Sequence, residues 1–362
     1  MRSFLKPLSF AVLLLIAAPV SAQDKLTPIS EKFSANQVEN LMLSVVDADV
    51  TVNTSDASSV TVDVIVESRD TNKAMEYYEK QNFSVSLEGG TLHVVSKPDK
   101  NYRGPSNWRN SVDIHVMINM PPGVHSSIRT SDGDLAIEEL TSGAQIRTSD
   151  GDINIGQISG GDIVIQTSDG SIAADLLQGP SVSIRTSDGD LMLGKLIGNT
   201  IRAQTSDGDI KIETVSGEFE ARTSDGDLSI SNMTSSRAVA QTSDGDIRIG
   251  NVSGTLTVSS SDGDVELELV DPGDISVSVG DGDTLVSIPA DISTTLDVRA
   301  SDGDVDMDAF SNFSGNIEDS RVTGDLNGGG PMIRVRTSDG DAVMRSFHVK
   351  KLHIRAPQLN GN

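Results

Sequence analysis

The chain of 362 residues contains no cysteine. That absence excludes disulfide scaffolds, thiolate zinc sites, iron–sulfur clusters, cysteine nucleophiles and lipid attachment at an N-terminal cysteine. Aromatic residues make up only 3% of the chain, so its core has to be built from aliphatic side chains. Basic residues are scarce too: 28 Lys and Arg face 53 Asp and Glu, a formal net charge of −25. Neutralising phosphates takes clustered cations, so a nucleic-acid partner is not expected. Long apolar runs are also missing. The longest lies at the N-terminus, and no later stretch approaches the roughly 20 residues of a membrane-crossing helix.

That N-terminal run has the form of an export signal. Arg2 and Lys6 precede an apolar stretch from Phe10 to Val20, and Val20-Ser21-Ala22 supplies the small residues a signal peptidase requires. Residues 1–22 therefore read as a cleavable signal peptide. The expected location is the periplasm, the cell surface or the medium.

One word organises the rest of the chain. Ser-Asp-Gly-Asp starts at Ser131, Ser149, Ser187, Ser206, Ser224, Ser243, Ser261, Ser301 and Ser338, with variants at Ser168 and Gly280. Successive copies lie mostly 18 or 19 residues apart, a period typical of solenoid repeats. The wider gap between Ser301 and Ser338 leaves room for a degenerate copy near Ser320. Apolar residues alternate before the word (Ile163 and Ile165, Val182 and Ile184) and again after it (Ile153 and Ile155, Ile210 and Ile212). Period-two patterning of this kind marks strands with one buried face. At the turn itself, Asp is expected to accept backbone amides and Gly to take a positive-φ position.

The predicted fold is all-β: a parallel β-solenoid (β-helix) of about 12 coils with 18–19-residue repeats, over 126–345, followed by a C-terminal strand and tail at 346–362. Residues 23–125 are expected to form a β-rich cap on the first coil. Within that cap, Leu41 to Val52 resembles a decayed coil turning at Asp47-Ala48-Asp49. Alternating valines follow at 60–66, a short helix at 71–81, a hairpin about Glu88-Gly89-Gly90, and a strand at 112–118.

The strand ending in Met120-Pro121-Pro122-Gly123, followed by serial Thr-Ser-Asp-Gly-Asp-Leu/Ile coils, resembles the bacterial "putative adhesin" family of β-strand repeat proteins, a domain of unknown function. The resemblance spans roughly 40–355. It implies a β-solenoid in an envelope or surface setting, and it carries no catalytic residues across.

Several candidate sites follow. The turn words and their variants hold 21 of the 53 acidic residues. Their carboxylates read as turn formers, with a calcium-stabilised β-roll as the alternative. Arg129, Arg147, Arg185, Arg222, Arg299 and Arg336 stand two residues before the word and are expected to relieve its repulsion. The Thr that precedes most copies of the word, from Thr130 to Thr242 and again at Thr337, shares the parity of the inward aliphatics, so an ice-binding rank is not expected. His93, His115, His348 and His353 alternate with aliphatics as outward strand residues, and His125 stands apart. No nucleophile elbow, phosphate loop or zinc-protease motif is present. No enzyme activity, cofactor or metal is expected, although a polysaccharide-active β-helix enzyme is a further alternative. Places where the repeat breaks are the better binding candidates. They are Tyr102 to Trp108 with Arg103 and Arg109, then Asp271-Pro272-Gly273, then Phe310 to Gly330. Tyr102, Arg103, Trp108 and Arg109 are the chosen ligand-binding residues. The expected role is an adhesin-like scaffold for an unidentified envelope, surface or polysaccharide ligand.

Overall fold

The computed structural model describes residues 24–56, 58–99 and 112–347. The signal-like segment and residues 102, 103, 108 and 109 lie outside them.

Alternation builds two long ladders of parallel strands. The strands before each turn word stack in register: Ala144–Arg147 pairs with 126–129 on one side and with Ile163–Gln166 on the other. Residues 182–185, 201–204, 219–222, 238–241 and 256–259 continue the same ladder. The strands after the word form a second ladder through Leu135, Ile153, Ile172, Leu191, Ile210, Leu228, Ile247 and Val265. A third aliphatic rank (Leu140, Ile158, Leu177, Leu196, Val215, Met233, Val252) is fully buried. Each layer thus turns three ranks of side chains into one continuous aliphatic core. All described strands belong to one mainly parallel sheet, and the helix Thr71–Gln81 is short.

The turn glycines correct one expectation. None of the glycines in the turn words has a positive φ. They are required for a different reason: a Cβ on Gly151, Gly170, Gly189 or Gly208 would overlap the carbonyl oxygen of the glycine in the preceding layer. The stack of turns leaves no room for a side chain on that side.

The two ends depart from chain order. Residues 40–54 do form a coil with Asp47-Ala48-Asp49 at the turn position. Asn40–Ser44 lies between Thr91–Val95 and His125–Arg129, and Asp49–Thr54 lies between Asp113–Met120 and 135–137. Beyond it, Ser59–Ser68 pairs antiparallel with Asp113–Met120, and Asp24–Ser34 pairs antiparallel with Ser59–Ser68. Ser84–Glu88 closes the other ladder as a hairpin with Thr91–Val95. The helix starts where the Asp70 side chain accepts the Lys73 N–H and stops at Asn82, whose φ is 47°.

At the far end, Met332–Asp339 inserts between 275–281 and Thr294–Ala300. Ala342–Phe347 likewise sits between Thr284–Pro289 and Val305–Met307. The last described coil is therefore not the last layer. No coil forms near Ser320. Phe313–Glu318 and Arg321–Leu326 make an antiparallel hairpin that pairs with Thr294–Ala300 and covers its open edge. Unpaired strand edges recruit other chains, and an antiparallel strand satisfies them without another coil.

Candidate functional site

The four residues chosen from the sequence, Tyr102, Arg103, Trp108 and Arg109, lie outside the described residues. The second break, Asp271-Pro272-Gly273, is not a loop. It runs within the strand Val265–Asp281, where the register with the preceding layer shifts. The third, Phe310 to Gly330, contains the closing hairpin.

The turn corner is committed to holding the layers together. Within each word the second Asp uses Oδ1 to accept the backbone N–H of its counterpart in the next layer. Asp134 does so for Asp152, Asp190 for Asp209, Asp209 for Asp227 and Asp227 for Asp246, at 2.8–2.9 Å. The ladder begins at Asp49, whose Oδ1 takes the Asp134 N–H. It ends with Asp283 holding Asp341 and Asp341 holding Asp304, which repeats the exchange of layer order seen in the strands. The Thr rank is equally engaged. Thr186 donates its hydroxyl to Ser168 and Gly170 carbonyls and accepts the Gly189 N–H. These threonines are buried, as their parity with the aliphatics requires.

One carboxylate pair is unlike the rest. Asp47, in the decayed turn and at φ 50°, hydrogen-bonds the side chain of Asp132. That contact, with burial and the neighbouring charge, raises the Asp132 carboxyl above its ordinary range. The Ser131 hydroxyl donates to Asp47, and the Tyr77 hydroxyl also reaches Asp47 at 3.4 Å. Close by, Nδ1 of His115 lies 3.2 Å from Asp49. His93 and His115 stand half-exposed on alternating strands, in keeping with their outward placement.

The arginine row does not serve the turn carboxylates. Arg129, Arg147, Gln166, Arg185, Gln204, Arg222 and Gln241 occupy one register position in successive layers. Among the described residues no ion pair joins this stretch to an Asp of the corner. Arg222 and Arg202 both reach Glu220 instead, at 2.8 and 3.3 Å, and Arg147 donates Nε–H to Gln166 at 2.9 Å. Repulsion along the corner is relieved mainly by the amide ladder. Arg336 differs: it hydrogen-bonds Asp297 in the adjoining outermost layer and holds that carboxyl below its ordinary range.

Shallow concavities mark the coil faces, among them a small one of about 140 Å³ beside Arg202, Glu220 and Val239. Of the larger ones, one of about 410 Å³ follows the row past Arg185, Gln204, Arg222 and Gln241. A second, about 550 Å³, lies on the post-turn face between Thr51 and Met192, where small residues such as Gly156 and Ala173 lower the surface. A third, about 480 Å³, runs from Met42 to Gln145 near the cap. Among the described residues no group of His, Asp and Glu is arranged to hold a metal ion, and no helix is long and apolar enough to cross a membrane.

The Toastrack DUF4097 family profile matches residues 38–216 and 213–344, and the chain belongs to that family. No curated protein matches the chain. Among solved structures, a "putative adhesin" from Parabacteroides distasonis is 11% identical, covers 88% of this chain and 96% of its own, and superposes with a TM-score of 0.36. A "putative adhesin" from Parabacteroides merdae, also 11% identical, covers 72% and 95% at a TM-score of 0.33. A "putative lipid binding protein" from P. distasonis covers 87% and 96% at 11% identity and a TM-score of 0.31.

Proposed function

We propose that the protein is exported and acts, without catalysing a reaction, as an adhesin-like binding scaffold at the cell envelope or surface. The observation that carries this reading is the separation of charge on one continuous core. Carboxylates line the turn corner, where their acceptors hold the layers, while arginines and amides line the pre-turn face free of that duty. A row of side chains at fixed spacing suits a long ligand better than a small substrate. The signal-like sequence at 1–22 and the about 12 coils expected from the repeat belong to the same reading. So does a second contact at Tyr102, Arg103, Trp108 and Arg109, where a Tyr102→Ala/Trp108→Ala protein should bind more weakly.

Two alternatives make different demands. A calcium-stabilised β-roll would need the turn carboxylates for metal, yet one oxygen of each ladder Asp already takes an amide. A polysaccharide-active enzyme would need an isolated acid pair beside a groove. Asp47 and Asp132 form such a pair, but neither lines any of the concavities described above. The test is fractionation of the producing cell, followed by incubation of the purified mature chain with its envelope material. Export and retention on that material without cleavage support the scaffold. Cytoplasmic retention, or release of shortened glycans, overturns it.

A further inference from the structure

We propose that the pre-turn face between Arg129 and Gln241 binds a linear acidic polysaccharide laid along the stack of coils, with one carboxylate or sulfate for every two sugars. This rests on the scaffold reading above and names the class of ligand it takes.

The outward positions of these strands form two parallel rows. One holds Arg147, Gln166, Arg185, Gln204, Arg222 and Gln241, with Arg129 a layer earlier. The other runs through Ser127, Gln145, Val164, Ser183, Arg202, Glu220 and Val239. Across both rows five arginines meet a single glutamate, on a chain whose net charge is −25. No ion pair occupies Arg129, Arg147 or Arg185 among the described residues, so the fold itself does not require their charge. Arg202 and Arg222 share Glu220, which leaves an excess of arginine charge on an acidic protein, a surface prepared for an anion.

The order within the row selects the kind of anion. From Arg147 onward, arginine alternates with glutamine. Layers stack about 4.8 Å apart, so guanidinium groups recur about every 9.6 Å. That step matches a disaccharide in an extended glycan, whose acidic groups then meet successive arginines. Guanidinium binds a carboxylate or sulfate through two parallel N–H donors. The intervening glutamines offer both a donor and an acceptor, as sugar hydroxyls need. The concavity of about 410 Å³ follows this alternation from Arg185 to Gln241 and gives a chain a bed to lie in.

Nucleic acid fits less well. It carries a charge on every nucleotide, and neither row has an aromatic ring on which a base could stack. An anionic membrane also fits less well, because apolar anchors on the rows are limited to Val164 and Val239. The exposed Asp of each turn lies three residues beyond the row, as Asp188 does from Arg185. It keeps the polymer on the arginine side and sets its line along the stack.

The test titrates the mature chain with hyaluronan oligosaccharides, which alternate charged and neutral sugars. Polygalacturonate, neutral dextran, phosphatidylglycerol vesicles and duplex DNA serve as comparisons. Binding is expected to be tightest for hyaluronan. Arg147→Gln/Arg185→Gln/Arg222→Gln should weaken it about tenfold or more with the melting point retained. Arg248→Gln, in the post-turn ladder, should leave it unchanged. If the triple variant folds poorly, Arg185→Gln alone, which removes no ion pair, should still weaken binding several-fold. Equal binding by the arginine variants, or stronger binding of polygalacturonate, dextran, vesicles or DNA, overturns the proposal. If wild-type protein holds envelope material and the triple variant holds it equally, the row fails and the scaffold reading stands. If wild-type protein holds none, both fail.

Discussion

At the residue scale, the turn glycine shows how a local reading can give the right residue for the wrong reason. Ser-Asp-Gly-Asp resembles a tight turn that needs a left-handed glycine, yet φ at these glycines is not positive. What forbids a side chain is the carbonyl oxygen of the neighbouring layer, which from Gly151 to Gly263 belongs to a residue 18 or 19 positions away. Gly208→Ala should therefore cost about 3 kcal/mol, because the neighbouring backbone must move in two layers. Gly250→Ala is a milder case: its Cβ would stand 3.0 Å from the Ser231 carbonyl oxygen. Equilibrium unfolding of the two variants should show a large loss for the first and a small one for the second. The site was partly legible in the same way. The alternation of Arg with Gln is printed in the chain, but a nearby surplus of Asp invites the simpler reading of charge relief. Only side-chain positions reveal that the arginines leave those carboxylates alone.

At the scale of elements, the strands, the helix at Thr71–Gln81 and the hairpin at Ser84–Val95 follow directly from periodicity and glycine placement. The order of layers at the far end does not. The strands at 275–281, 294–300 and 332–339 carry the same alternating pattern, and nothing local states which neighbour each will choose. The hairpin at 313–326 took the place of an expected coil because closing an edge demands antiparallel partners, not another turn word. Val322 is fully buried in it, so Val322→Asp should open the edge of Thr294–Ala300. Light scattering should report association of this variant well below its unfolding midpoint.

Acid should act on the two ends in opposite senses. Asp297, held below its ordinary range mainly by the Arg336 hydrogen bond, stabilises the outermost layer at neutral pH. That contribution is lost as pH falls through its depressed value. Asp132 is raised mainly by its hydrogen bond with Asp47. Its protonated form is the favoured one, so its contribution is present in acid and disappears as pH rises through the raised value. Stability measured against pH should show Asp297→Asn costing most at neutral pH and little in acid. Asp132→Asn should instead stabilise the chain at neutral pH.

At the scale of the molecule, one core is enclosed by a surface of strong net negative charge. Mutual repulsion among the corner carboxylates is screened by salt. The melting point should therefore rise with sodium chloride from low ionic strength. A chelator should leave it unchanged, because the ladder is completed by backbone amides. A drop of many degrees with chelator would show that metal, not amide, holds the corner.

The exchanged layers at the far end bear on force. Residues 333–337 and 342–344 are flanked on both sides by other strands, so tension applied beyond residue 347, after the single ladder at 345–347, meets two ladders in shear instead of peeling one away. A chain tethered through that terminus would hold its load as a slat locked within a stack holds, and would yield abruptly rather than unravel coil by coil.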